Sequence, residues 1–129
     1  MMARWTKNNA IWNGLTDTQK AAAMSLMEAG LGYVDDAQHA AGAMVNRASK
    51  YGQSLGDHVS GSIYQPTIEP RQEARLSKII SSPQFKNMSE WVDMRMNGEI
   101  PDNVNGATHF LAHPRVMLDL EAQNPSKYK

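Results

Sequence analysis

The sequence predicts a mainly α fold in one small domain, with little or no β structure. Three observations carry this. Apolar residues recur at helical spacing over long stretches, helix start and stop signals bracket those stretches, and runs that alternate like strands are nearly absent. The chain has 129 residues, 41% of them apolar, which is enough for one real core. No internal repeat, low-complexity tract or linker divides it, so residues 1–129 read as a single domain.

Residues 1–15 are mixed, with Trp5, Ile11, Trp12 and Leu15 as packing anchors. Thr16-Asp17-Thr18-Gln19 fits a capping box and opens a helix over 17–29. Gly30 stops it, as a residue that reaches the left-handed conformation without steric cost. Leu31 to Val34 is a short linker. Asp35 then reads as an N-cap, with Gln38 three residues on. A second helix follows over 36–49, with Ala37, Ala40, Ala41, Met44, Val45 and Ala48 on one face. The short linker makes the two helices neighbours. From Tyr51 to Pro70 the text is loop-like, with room for a short helix at 55–62. Pro70 opens a helix through Ile80, with Leu76, Ile79 and Ile80 inward. Residues 89–96 form another short helix, stopped by Gly98, with Trp91, Val92 and Met96 inward. Residues 98–112 are loop, and a last helical segment covers 114–122. A small extended segment fits near Ile63 or Thr108.

Composition weighs against several classes. Basic and acidic residues balance at 13 each, so no electrostatic footprint for nucleic acid or an anionic membrane exists. Cysteine is absent, which removes disulfides and thiolate metal sites and leaves the compartment open. No stretch reaches the length of a membrane span, and the N-terminus has no apolar signal core. As written, the chain stays in the cytosol unless lysis, virion delivery or another export system releases it. A monomer is expected. There is no phosphate loop and no nucleophile elbow. The nine methionines read as packing.

The residue that stands out is Glu28. It lies in Ala21-Ala22-Ala23-Met24-Ser25-Leu26-Met27-Glu28-Ala29, where no other side chain titrates near neutrality. At helical spacing it shares a face with Ala21, Met24 and Ser25. Desolvation on such a face raises a carboxyl pKa and makes a general acid. The plainer alternatives are a carboxylate that reaches water at the helix end, or one paired with Arg47.

Three further clusters carry polar chemistry. In Asn46-Arg47, the guanidinium could neutralise a carboxylate or hold a carbohydrate oxygen. Asn46 could bind a sugar amide or tie loops together. Tyr64-Gln65 before Pro66 offers a hydroxyl, an amide and a flat ring suited to sugars, or to an ordinary loop. In the segment from Gly106 to His113, Thr108 and His109 supply polar groups beside Phe110. His109 and His113 have metal-ligand spacing, but no glutamate lies between them, Pro114 follows and no third ligand is evident. No metal or other cofactor is therefore expected.

Taken together, Glu28-Ala29, Asn46-Arg47, Ile63-Tyr64-Gln65-Pro66 and Gly106-Ala107-Thr108-His109-Phe110 occur in an order and spacing that resemble the SleB-like cell wall hydrolases. That family includes spore-cortex-lytic enzymes and phage lysins, and the resemblance covers about residues 20–115. It implies a small lysozyme-like fold that cleaves the peptidoglycan glycan strand between N-acetylmuramic acid and N-acetylglucosamine. It implies Glu28 as the principal acid. Asn46, Arg47, Tyr64, Gln65, Thr108 and His109 would bind the glycan. The chain departs from the family at Gly30 and Gly32, which stand for an arginine and a second glutamate, and at Thr67-Ile68-Glu69-Pro70. Glu28 alone would suffice for transglycosylation. Hydrolysis needs a second carboxylate, for which Asp35, Asp36 and Glu69 are candidates and Glu69 is favoured. The rivals are a non-catalytic glycan-binding or virion-structural domain, a metal-dependent hydrolase using His109 and His113, and a helical nucleic-acid-binding domain disfavoured by the charge balance.

Overall fold

A computed structural model describes residues 4–61 and 63–107. The chain is all-α, with six α-helices and no strand among the described residues. They are α1 (Ala10–Asn13), α2 (Asp17–Ala29), α3 (Val34–Lys50), α4 (Leu55–Val59), α5 (Pro70–Ile80) and α6 (Pro83–Met96). Short 3-10 turns cover Trp5–Lys7 and Gln65–Thr67. The expected extended segment at Ile63 is a turn instead. Thr108 and the helix expected over 114–122 lie outside the described residues.

The centre of the fold is α2. Its capping box forms as expected: the Gln19 amide donates to Thr16 Oγ1 at 3.2 Å, and the Thr16 amide to Gln19 Oε1 at 2.9 Å. Every residue from Ala21 to Met27 is buried. A helix apolar on all sides must be enclosed on all sides. Helices α3, α4, α5 and α6 supply that enclosure. The alanines allow close approach, and α3 answers with Ala37, Ala40, Ala41 and Ala48.

Gly30 ends α2 at φ 97° and ψ 150°. This differs from the left-handed conformation that the sequence suggests. It is a region that a Cβ essentially forbids, so glycine is still required. The chain then reverses within a few residues into α3. That helix starts at Val34, with Tyr33 in the cap position and no side-chain cap bond. Asp35 is therefore not the cap. It sits with Asp36 in the first turn, where acidic charge meets the positive end of the helix dipole.

Helix α6 begins at Pro83 rather than at residue 89. Ser82 is its N-cap, accepting from the Phe85 amide at 3.2 Å, and Pro83 takes the first turn. Phe85, Met88 and Val92 form its buried stripe. Trp91 packs partly against the core, but Met96 is 48% exposed and does not point inward. Ile11 is likewise 46% exposed, because α1 is a single turn whose inward position goes to Trp12. Leu76 and Ile79 are buried as expected, with Ile80 packed at the core's edge.

Two close approaches fix the outer elements. Gly56 on α4 has no Cβ because the Asp17 carboxylate occupies that space. Gly42 on α3 is bare because the Asn103 side chain lies there, donating to the Gln38 carbonyl at 3.1 Å. The N-terminal segment closes over residues 60–61 and 63–67. The Trp12 indole donates to Ser60 Oγ at 2.8 Å, Thr6 to the Ser60 carbonyl at 2.7 Å, and Trp5 to the Pro66 carbonyl at 2.6 Å. The two indoles meet edge to face at 5.6 Å.

Gly30→Ala should cost about 1–3 kcal/mol, the range for forcing a side chain into a region reserved for glycine. Gly32→Ala, with open space around it and no positive φ, should change stability little. Urea unfolding of the two variants side by side measures the difference.

Candidate active site

Glu28 sits where the burial of α2 breaks. Beyond Met27 the helix emerges, and Glu28 is only partly exposed. Among the described residues its carboxylate has no hydrogen bond and no ion pair. Burial raises its pKa above the ordinary 4.5. The arrangement matches the sequence expectation of a desolvated acid, and the alternative of a salt bridge to Arg47 is not formed.

An open cleft of about 180 Å³ lies at this end of α2, lined by Met27, Glu28, Gln65, Pro66, Glu69 and Gln72. One wall is the exit of α2. The other is the 65–67 turn and the start of α5. Three attachments hold this second wall. Trp5 grips the Pro66 carbonyl. The buried Thr67 hydroxyl bridges to the carbonyls of Gly61 at 3.0 Å and Tyr64 at 2.8 Å. Tyr64 Oη lies 2.6 Å from His58 Nε2.

The cleft brings two carboxylates together and gives them opposite environments. Glu69 bonds Arg71 at 3.1 Å, and that bond and the guanidinium charge hold its pKa below the ordinary value. Desolvation favours the protonated form of Glu28, while the charge pairing of Glu69 favours its ionised form. Pairs pushed apart in this way divide into an acid and a base or stabiliser. Asp35 and Asp36 lie on the first turn of α3 and do not line the cleft.

The other sequence candidates fall in different places. Gln65 lines the cleft. Tyr64 is buried and does not line it; its hydroxyl serves His58 rather than solvent. Asn46 is a tether. Its amide donates to the Asp102 carboxylate and to the Ala107 carbonyl at 3.1 Å, and its oxygen accepts from Arg95 at 2.9 Å. The loop tie that the sequence left open is thus the role its contacts define. Asp102 completes the loop by accepting the Val104 and Gly106 amides, which hold its pKa low. Arg47 lies over the Tyr51 ring at 5.6 Å, and its charge reaches both His58 and Tyr64. Thr108, His109 and His113 lie outside the described residues. Among the described residues, no group of three or more acidic or histidine side chains could hold a metal ion.

Sequence reasoning missed His58 and Gln53. His58 is 3% exposed, with Nδ1 2.8 Å from Gln53 Oε1 and Nε2 bonded to Tyr64. The one signal available was a pair of polar residues five apart, Gln53 just ahead of a short helical stretch and His58 within it. A larger hollow of about 530 Å³ opens on the far side of His58, beside Tyr51 and Asp57. It holds one carboxylate rather than a matched pair, so the smaller cleft is the better site for acid–base chemistry.

Compared with known protein families, curated proteins and solved structures, the chain matches none. No described helix is long and apolar enough to cross a membrane.

Because burial raises the Glu28 pKa, the folded chain holds that proton more tightly than the unfolded chain. This contribution to stability is full below 4.5 and is lost as pH rises through the folded value. Glu28→Gln removes the titrating group without changing shape. At pH 7 it should resist urea better than the parent, and the two curves should converge below pH 4.5. A variant less stable than the parent at pH 7 would show that the carboxylate has a partner.

Proposed function

We propose that this chain cleaves peptidoglycan at the bond between N-acetylmuramic acid and N-acetylglucosamine, with Glu28 as the general acid. The observation that carries the reading is the Glu28–Glu69 pair in one cleft, one carboxyl desolvated and the other charge-paired. The order of the four sequence motifs, similar to that of SleB-like hydrolases, supplies the substrate class. The setting this suggests is a phage or prophage lysin acting on the cell wall.

The chemistry follows from the two environments. Protonated Glu28 gives its proton to the glycosidic oxygen as the bond to the anomeric carbon breaks. The developing cation then needs negative charge or an activated water. Glu69, held ionised by Arg71, is placed in the cleft to supply either. Gln65 and Gln72 offer amide donors and acceptors to sugar hydroxyl and acetamido groups. By the same resemblance, Thr108 and His109 would extend the glycan groove. The Glu69 environment favours hydrolysis over the route in which Glu28 works alone.

Removing a general acid costs about 10²–10⁴-fold in rate. Glu28→Gln should therefore lose the solubilisation of purified peptidoglycan by roughly that factor while remaining folded. Glu69→Gln should also lose activity, and mass analysis of the parent's muropeptides should show reducing ends. Anhydro ends with an active Glu69→Gln variant would leave Glu28 as the sole carboxylate. A Glu28→Gln variant as fast as the parent would end the assignment.

A further inference from the structure

The larger hollow beside α4, about 530 Å³, has no part in the acid–base chemistry of the cleft. Its size falls within the range of about 300–1,000 Å³ that small-ligand sites occupy. Two large apolar side chains are exposed in it, Tyr51 at 53% and Ile63 at 52%. The cationic groups of Arg47 and Lys50 lie over the Tyr51 ring, 5.6 and 5.9 Å from its centre. Arg4 and Asp57 bring opposite charges to the same hollow, yet no ion pair joins them. The Asp57 carboxylate has no other partner among the described residues. Arg4 uses one of its N–H donors on the Ser60 carbonyl at 3.3 Å and keeps the others.

Gln53 adds a directional group. Its Oε1 accepts from His58 Nδ1 at 2.8 Å, so both N–H donors of its amide remain. The hollow thus offers a carboxylate for an amine, a guanidinium for a carboxylate, amide donors for a carbonyl, and apolar surface for an aliphatic side chain. A neutral sugar uses neither charge, and a nucleic-acid backbone meets the Asp57 charge. A short peptide that carries both charges uses all four. Position adds a second reason. Ile63 lines the hollow, and Gln65, two residues on, lines the cleft. Two residues span at most about 7 Å, so the backbone at the two openings is no farther apart than that. An extended peptide of about four residues reaches roughly 13–14 Å. A peptide attached to a sugar in the cleft is therefore long enough to enter the hollow.

We propose that this hollow binds the stem peptide that branches from the N-acetylmuramic acid of the peptidoglycan strand. Asp57 takes an amine of the peptide, Arg4 a carboxylate and Gln53 a main-chain carbonyl, while Tyr51 and Ile63 cover its apolar side chains. The proposal rests on the peptidoglycan reading for the identity of the ligand, and it adds a recognition site outside the catalytic cleft.

Nuclear magnetic resonance of the full chain, titrated with a soluble muramyl tripeptide whose last residue has a free side-chain amine, tests this without turnover. The amide signals of Tyr51, Gln53 and Asp57 should shift; shifts confined to Gln65, Glu69 and Gln72, or none at all, overturn the proposal. Acetylating the peptide's amine should weaken binding by about 2–5-fold, the range for an exposed ion pair. Asp57→Asn should weaken the free-amine peptide by the same factor and leave the acetylated peptide unchanged; an equal loss for both peptides, or for neither, is contrary evidence. Tyr51→Ala should weaken both by about 2–10-fold, and an unchanged affinity counts against the site. Tyr51 and Asp57 are exposed, so both variants spare the core. Peptide binding in a chain that leaves peptidoglycan intact would sink the glycosidase reading alone. Cleavage of peptidoglycan by a chain whose hollow ignores the peptide would sink this proposal alone.

Discussion

The structure depends on the enclosure of one helix. From Ala21 to Met27 every residue of α2 is buried, so four other helices must surround it. Apolar burial supplies the driving force, and the small residues on α2 and α3 set the spacing. Once α2 is fixed in that position, its C-terminal end is fixed too. Glu28 is the first side chain after the enclosed run. It is therefore neither inside nor outside: close enough to the core to lose part of its hydration, yet open to a cleft. The same packing that stabilises the fold sets the chemical character of the carboxyl.

The opposite wall has a different physical basis. Its residues 60–61 and 63–67 have one short 3-10 turn as regular structure, and polar bonds from distant parts of the chain hold it. Trp5 and Thr6 reach it from the N-terminus, and His58 reaches it from α4. This division suits an active site: a hydrophobic wall that desolvates and a hydrogen-bonded wall that orients. It also separates the two carboxyls by environment, since Glu69 stands at the rim beside Arg71 while Glu28 stands against the core.

Local features were legible in the sequence. Thr16 and Gln19 cap one another three residues apart, and Pro70 opens α5, so the bounds of α2 and α5 could be read directly. Glu28 was legible because a carboxyl in an apolar run conflicts with its surroundings, and tertiary structure had to resolve the conflict. Boundaries failed where two signals competed. At the start of α3, Asp35 looked like a cap but serves the dipole. At α6, Ser82-Pro83 was the true start, although the stronger apolar text lies later. The site partners were the least legible. Asn46 finds Asp102, and Trp5 finds Pro66, across long separations that no periodicity encodes. His58 was hidden for the same reason: its role comes from the hydroxyl that the fold places against its ring.

The alanine run of α2 has an evolutionary consequence. Alanine has no rotamers to lose, so it enters a tight interface without the entropic cost of a longer side chain. Drift at Ala21, Ala22 and Ala23 is then constrained asymmetrically. Glycine would loosen the helix, and anything larger would have to push a neighbouring helix away. Substitutions at these three positions require compensating changes on the surrounding helices. The history of the fold would be recorded there as paired substitutions.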